Sequence, residues 1–277
     1  MTNDYGNLEL HKVLLAAMKD IDKICRENGL RYYLYAGTLL GAMNHKGFIP
    51  WDDDVDISMF PSDFEVLCKI IARDYSEKYF VETYKNTSSH YSMMPKIRLI
   101  GTEITYDNGE KEPIFIDLSI FHSVPDMRLL RLIQKKRLML WDKVNSVKSG
   151  AIIPSSLVSK LTIGLLARKS KESIELKLQR IMNRYDNNQN TELIALMIHM
   201  LPNPYTGVDG YTNDTIPRKW CDKPSKVLFE DSFFMAYEHP ELDLIKRYGD
   251  DYAKPYPEEK RKTKHGVVKY AVNDRIV

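Results

Sequence analysis

The sequence predicts an α/β (α+β) protein, a mixed sheet flanked by helices and carrying a helical insertion, and three observations predict it. Apolar residues recur at helical spacing over residues 8–28. Short runs between residues 30 and 121 alternate with the two-residue period of strands, and the stretch from Met127 to Met200 returns to the helical period. With 277 residues and 43% hydrophobic content the chain can bury one large core or two small ones.

The first helix is set by Leu10, Val13, Leu14, Ala17, Met18, Ile21, Ile24 and Cys25, with Gly29 as its stop signal, and its stripe should lie on a sheet. Residues 30–36, rich in tyrosine, read as a strand, Gly37-Thr38 as a turn and residues 39–44 as a short helix. From Asp54 to Met59 acid or serine alternates with Val55, Ile57 and Met59, so Asp54, Asp56 and Ser58 share one strand face. Pro61 ends that strand, and Ser62 with Glu65 predicts a capping box opening a helix through Phe64, Leu67, Cys68 and Ile71. Strands follow at 80–84, 95–100, 103–107 and 114–121, then three or four helices between 127 and 200. A loop is expected across Pro202, Pro204, Gly207 and Gly210, and a strand or two before a helix within 227–248. The expected organisation is a catalytic core over 1–126, a helical insertion over 127–209 and a C-terminal part, 210–277, packing back on the core.

Composition narrows the class. Cys25, Cys68 and Cys221 are odd in number and outside the spacing of a zinc site, which reads as reduced thiols in a cytoplasmic protein. The first six residues are polar, and the longest apolar runs fall far short of the roughly 20 residues of a membrane helix. The net charge of +2 hides an uneven distribution: residues 128–171 hold eleven lysines and arginines against Asp142 alone. No nucleic-acid motif accompanies this run. Its interleaved leucines leave two readings open, a peripheral contact with anionic membrane at the inner face of the plasma membrane or a core-facing helix with a solvated basic side.

Asp52, Asp53, Asp54 and Asp56 crowd four carboxylates into five positions. Like charges about 4 Å apart repel by roughly 4 kcal/mol at an effective dielectric near 20, so a cation is expected among them. Asp54 and Asp56 on one strand face offer the oxygens that a hard divalent ion takes, and Asp117, an acid inside an apolar strand pattern, is the third. A Gly37-Thr38 turn with free N–H groups before that strand would cradle phosphate. Lys96 and Arg98 project to one face of a strand, where they hold donor phosphates or form a solvated sheet face. His45 and Trp51 flank the acids as candidate nucleotide contacts, with packing the competing role for Trp51. Tyr32, Tyr33 and Tyr35, with Tyr248, Tyr252 and Tyr256, are numerous enough for an aromatic cage or are ordinary strand residues.

The run Tyr35-Ala36-Gly37-Thr38-Leu39-Leu40-Gly41-Ala42, followed by His45-Lys46-Gly47-Phe48-Ile49-Pro50-Trp51-Asp52-Asp53-Asp54-Val55-Asp56-Ile57, resembles the signature of the LicD family of phosphotransferases, distant relatives of the fukutin proteins. Ile216-Pro217-Arg218-Lys219-Trp220, Phe229-Glu230, Tyr248-Gly249-Asp250-Asp251-Tyr252 and Pro257-Glu258-Glu259-Lys260-Arg261 are similar to that family's C-terminal pattern. The resemblance fades over the central helices. It implies a nucleotidyltransferase-like fold, the Gly37-Thr38 turn under the donor phosphates, and Asp54, Asp56 and Asp117 as ligands of one or two Mg2+ ions, with Mn2+ as a substitute. It further implies transfer of phosphocholine from CDP-choline to a cell-surface glycan precursor, lipid-linked and of teichoic acid or lipopolysaccharide type. Ribitol, glycerol or ethanolamine phosphate from another CDP donor is the alternative, as is a catalytically silent binding or scaffold role.

Overall fold

The apolar stripe at positions 10–25 forms as the helix α1 (Leu8–Glu27), which buries Leu10, Leu14, Ala17, Met18, Ile21, Ile24 and Cys25. At about 1.5–3 kcal/mol per large aliphatic side chain removed from water, this stripe alone is a main anchor of the fold. The computed structural model describes residues 5–87, 90–153, 156–188, 190–197, 206–255, 257–258, 261 and 267–272. After α1 the chain runs through β1 (Tyr32–Leu34), α2 (Ala36–His45), β2 (Asp56–Met59), α3 (Pro61–Asp74), β3 (Tyr79–Glu82), β4 (Lys96–Leu99), β5 (Thr102–Tyr106), β6 (Lys111–Glu112) and β7 (Phe115–Ile120). Then come β8 (His122–Val124), α4 (Arg128–Lys148), α5 (Leu157–Leu166), α6 (Lys171–Met182), β9 (Leu193–Ala195), α7 (Gly210–Asn213) and β10 (Thr215–Pro217). The chain closes with β11 (Ser225–Phe229), β12 (Ser232–Ala236), α8 (Pro240–Tyr248) and β13 (Val267–Val272).

These elements fall into two units, Met1–Glu82 with Met94–Ile120 and Trp220–Val277, and Thr83–Met93 with Phe121–Lys219. In the first, a five-stranded sheet has the order β1-β2-β7-β4-β3. The β2–β7 pair is parallel and the other three pairs are antiparallel. Helix α1 packs against β7 and β12. Its Met18 and Ile21 face Leu34, Ile57 and Ile116 of the sheet across a small apolar gap. A β11–β12 hairpin and a β13-β5-β6 sheet complete this unit.

The second unit is more than helices. An antiparallel sheet β10-β9-β8 joins α4, α5 and α6 around Val124, Leu138, Val144, Ile174, Leu178 and Ile181. Inside it Gln134 donates to the Ile181 carbonyl at 2.9 Å and accepts from the Tyr211 hydroxyl at 3.0 Å. His122 is a satisfied structural histidine, its Nδ1 lying 2.8 Å from Asp186 Oδ2.

Three local expectations are corrected. Gly37 and Thr38 lie inside α2, because Leu39 N already donates to the Tyr35 carbonyl and closes the first helical turn there. The capping box at Ser62 is absent: Phe60 is the N-cap and Pro61 the first helical residue, so Ser62 sits too far into the helix to accept the capping bond. Strand β2 starts at Asp56 rather than Asp54, since β1 ends at Leu34, opposite Ile57. Val55 still accepts from Asp117 N at 2.8 Å, which carries the approach of Asp54 toward β7. Residues 198–205, with Pro202 and Pro204 of the expected loop, lie outside the described residues.

Candidate active site

The parallel register of β2 and β7 sets Asp56 directly beside Asp117. With Asp54, one residue before the strand's approach, each offers a carboxylate oxygen, and these oxygens lie within 4.8 Å of one another with all three residues buried. A second grouping at the same spacing is Asp52, Asp53 and Asp54. At such distances each charge pair costs roughly 4 kcal/mol at an effective dielectric near 20, so the cluster calls for cationic company. The donor set, carboxylate oxygens without nitrogen or sulfur, is that of a hard divalent cation. Lys96, opposite Asp117 across β4–β7, brings one ammonium: its Nζ is 3.6 Å from Asp117 Oδ1 and 3.3 Å from the centroid of the Phe115 ring.

Helix α2 begins beside these acids. Thr38 Oγ1 accepts from Asp56 N at 2.8 Å. A Cβ built on Gly37 would stand 2.6 Å from Asp52 Oδ2, so the glycine admits the Asp52 carboxylate to the N-terminal turn of the helix. That is where the sequence reading put donor phosphate. A carboxylate is the same kind of guest, an anion at the positive end of a helix.

The segment between α2 and β2 is held from distant parts of the chain. Asn7 Nδ2 and His11 Nε2 both donate to the Asp52 carbonyl, at 3.1 and 2.7 Å. The His11 ring stacks on Phe48, with centroids 4.1 Å apart and planes 4° from parallel. Glu230 Oε1 accepts from Phe48 N at 3.0 Å, and Glu230 N donates to the Lys46 carbonyl at 2.6 Å. A Cβ on Gly47 would fall 2.1 Å from Glu230 Oε1, so a side chain here would displace the Glu230 carboxylate. Asn7, His11 and Glu230 escaped sequence reasoning because their partners lie 41 to 182 residues away. The available signal for Glu230 was the Phe229-Glu230 pair of the family-like pattern, and for the close approach it was Gly47 itself.

The remaining predicted residues divide. Trp51 is met edge-on by Tyr5 at 5.6 Å and His45 at 6.1 Å, with the Arg261 guanidinium 5.2 Å over its ring. Burial of the His45 ring, followed by the Arg261 charge, lowers its pKa from the ordinary histidine value. Arg98 shares the Phe115 face with Lys96, its guanidinium carbon 5.0 Å from the ring centroid. Its guanidinium is already engaged: Nε and Nη2 bind Glu82 Oε2 at 2.8 and 2.5 Å, and Nη1 binds Glu112. Burial pushes the Glu112 carboxyl up, but the Tyr106 hydroxyl, Lys96 and Arg98 outweigh it and hold the group below its ordinary value. The aromatic cage does not form from the first three tyrosines, which are core residues. Tyr32 OH donates to Asp22 at 2.8 Å, Tyr33 OH to the Cys221 carbonyl at 2.7 Å, and Tyr35 OH accepts from Arg247 at 2.8 Å. Tyr256 lies outside the described residues.

The model of the family described as LicD/FKTN/FKRP, nucleotidyltransferase domain, matches residues 29–163. The lipopolysaccharide cholinephosphotransferase LicD of Haemophilus influenzae is 26% identical over 265 residues, covering 93% of this chain and 95% of the relative. An uncharacterized protein of Rickettsia prowazekii is 35% identical over 72 residues, 26% of this chain and 27% of its own. Another, from Rickettsia typhi, is 44% identical over 50 residues, 18% of this chain and 16% of its own. The matched segment contains α2, the Asp52–Asp56 run and the Asp117 strand, the parts that build the acidic site. Residues 29–163 of this chain thus match the nucleotidyltransferase domain of the LicD family.

Proposed function

We propose that the chain transfers phosphocholine from CDP-choline to a hydroxyl of a cell-surface glycan precursor, releasing CMP. The observation that carries this reading is the convergence of Asp54, Asp56 and Asp117 beside the N-terminal turn of α2. Similarity across 93% of the chain to a lipopolysaccharide cholinephosphotransferase supports the choice of group and favours a lipopolysaccharide-type over a teichoic acid-type acceptor.

Asp54, Asp56 and Asp117 would hold Mg2+, one or two ions with Mn2+ as a substitute, which would supply positive charge against the donor phosphates. Asp117 accepts the proton of the attacking hydroxyl. The new ester bond forms as the bond to the CMP oxygen breaks, and CMP leaves with the electron pair. Thr38 keeps the Asp56 backbone in place through its hydroxyl. Gly37 admits the Asp52 carboxylate to the α2 N-terminus, the end of a helix that takes an anionic oxygen. Lys96, beside Asp117, steadies the transferring phosphate, while Arg98 acts one step back by bracing Glu82 and Glu112. His45 and Trp51 border the nucleotide.

The test is a donor panel. CMP release should require Mg2+ and proceed with CDP-choline and a lipopolysaccharide acceptor. CDP-ribitol, CDP-glycerol, CDP-ethanolamine and a UDP-sugar are the comparisons. Turnover of another CDP donor alone would reassign the headgroup, and turnover of the UDP-sugar alone would remove the phosphotransferase reading.

A further inference from the structure

Helix α4 carries two apolar stripes, and one of them faces water. Leu138 is buried in the core of the second unit, with Trp141 half-buried against it. Across the helix, Leu129, Leu132, Ile133 and Leu140 stand at i, i+3, i+4 and i+11, a single face by helical geometry. They are 63%, 46%, 47% and 43% exposed. Lys136 and Lys143 continue the same face at i+7 and i+14, and Arg128 and Arg137 border it. Among the described residues these four cations have no ion-pair partner, whereas Lys135, turned toward the unit, binds Asp209 at 2.5 Å. Other leucines of the same unit, Leu161 and Leu165 on α5, are exposed as well.

We propose that the outer face of α4 docks on an anionic phospholipid surface. An apolar stripe interrupted and edged by cations fits the boundary between acyl chains and phosphate headgroups, with the lysines reaching outward along their aliphatic stems. No helix of the described residues is long and apolar enough to cross a membrane, so α4 lies along the surface. A second copy of the chain would set the same cations against one another. Nucleic acid would satisfy the cations and leave the leucines in water. The surface is independent of the donor chemistry, and its test needs neither donor nor acceptor.

The experiment is flotation of the full chain with vesicles of phosphatidylglycerol or of phosphatidylcholine. Binding is expected to phosphatidylglycerol only, and to weaken as salt shortens the reach of the cations. Leu132→Ser with Leu140→Ser should lower the vesicle-bound fraction by about tenfold or more at unchanged melting temperature. Should the serine pair lower the melting temperature, Lys136→Gln with Lys143→Gln carries the test through loss of the salt-sensitive part of binding. Three results overturn the proposal. These are no binding to phosphatidylglycerol, wild-type binding by both variant pairs, or a wild-type dimer in light scattering that the serine pair turns into a monomer.

Discussion

Thr38 Oγ1 accepts the amide of Asp56 at 2.8 Å, so the second residue of the Gly-Thr pair and the first residue of β2 are one hydrogen-bonded unit. Thr38→Val keeps the shape and removes the acceptor, leaving a buried N–H unmatched at a cost of about 1–3 kcal/mol. CMP release should fall further than stability does, because Asp56 is displaced as well. Thr38→Ser should restore both, as read by kcat and melting temperature side by side.

Neutralising one member of the acidic triad should separate stability from activity. In EDTA, Asp56→Asn and Asp117→Asn relieve like-charge repulsion, so each variant is expected to melt above the wild type. With Mg2+ the wild type should gain melting temperature and the variants should not, while turnover drops by roughly two to three orders of magnitude. A variant that keeps both its Mg2+ response and its turnover would exclude the triad from metal binding.

Gly37→Ala puts a methyl group 2.6 Å from Asp52 Oδ2. The expected cost is about 1–3 kcal/mol in denaturant unfolding. With Asp52→Ala in the background the obstruction is gone, and the same substitution should stabilise α2 by up to about 1 kcal/mol through helix propensity. A cost that persists in the double variant would show that something other than the Asp52 carboxylate requires the glycine.

His45 supplies a pH signature. Its folded pKa lies below the ordinary value of about 6.5, so the unfolded chain takes up the proton first as the solution is acidified. Stability from this group is complete above about 6.5 and is lost as pH falls through the lower folded value. His45→Gln should flatten that part of the melting-temperature profile. Arg261→Gln should raise the His45 pKa in an NMR titration, by removing the second cause of its depression.

Glu230→Ala removes the acceptor of the Phe48 amide and should cost about 1–3 kcal/mol. Because the same segment leads into the acids, the Mg2+ concentration that gives half-maximal CMP release should rise as well. Gly47→Ala should be tolerated better in the Glu230→Ala background than alone, since its obstruction is the Glu230 carboxylate.

Long periodic segments were legible in the sequence because one face of each carries the whole signal. The stripe of α1 is an example, while β7, buried along its whole length, was legible as a continuous apolar run, and α8 follows its hairpin as expected. Strands of two or three residues such as β6, β8 and β9 were not, because so few positions cannot establish a period of two. Asp54, Asp56 and Asp117 stood out as acids in apolar surroundings, and the structure brings their oxygens together. The contacts holding them, from Asn7, His11 and Glu230, follow from the tertiary path of the chain and leave no local trace. Arg98 illustrates the converse: alternation placed it on the Lys96 face, while Glu82 and Glu112, which engage its charge, come from neighbouring strands.

Glu230 reaches back 182 residues to the loop that leads into the acids. During synthesis, a nascent chain that has already exposed Asp54, Asp56 and Asp117 outside the ribosome still lacks this latch. The segment leading into the acids therefore gains this latch late, once the turn between β11 and β12 has emerged.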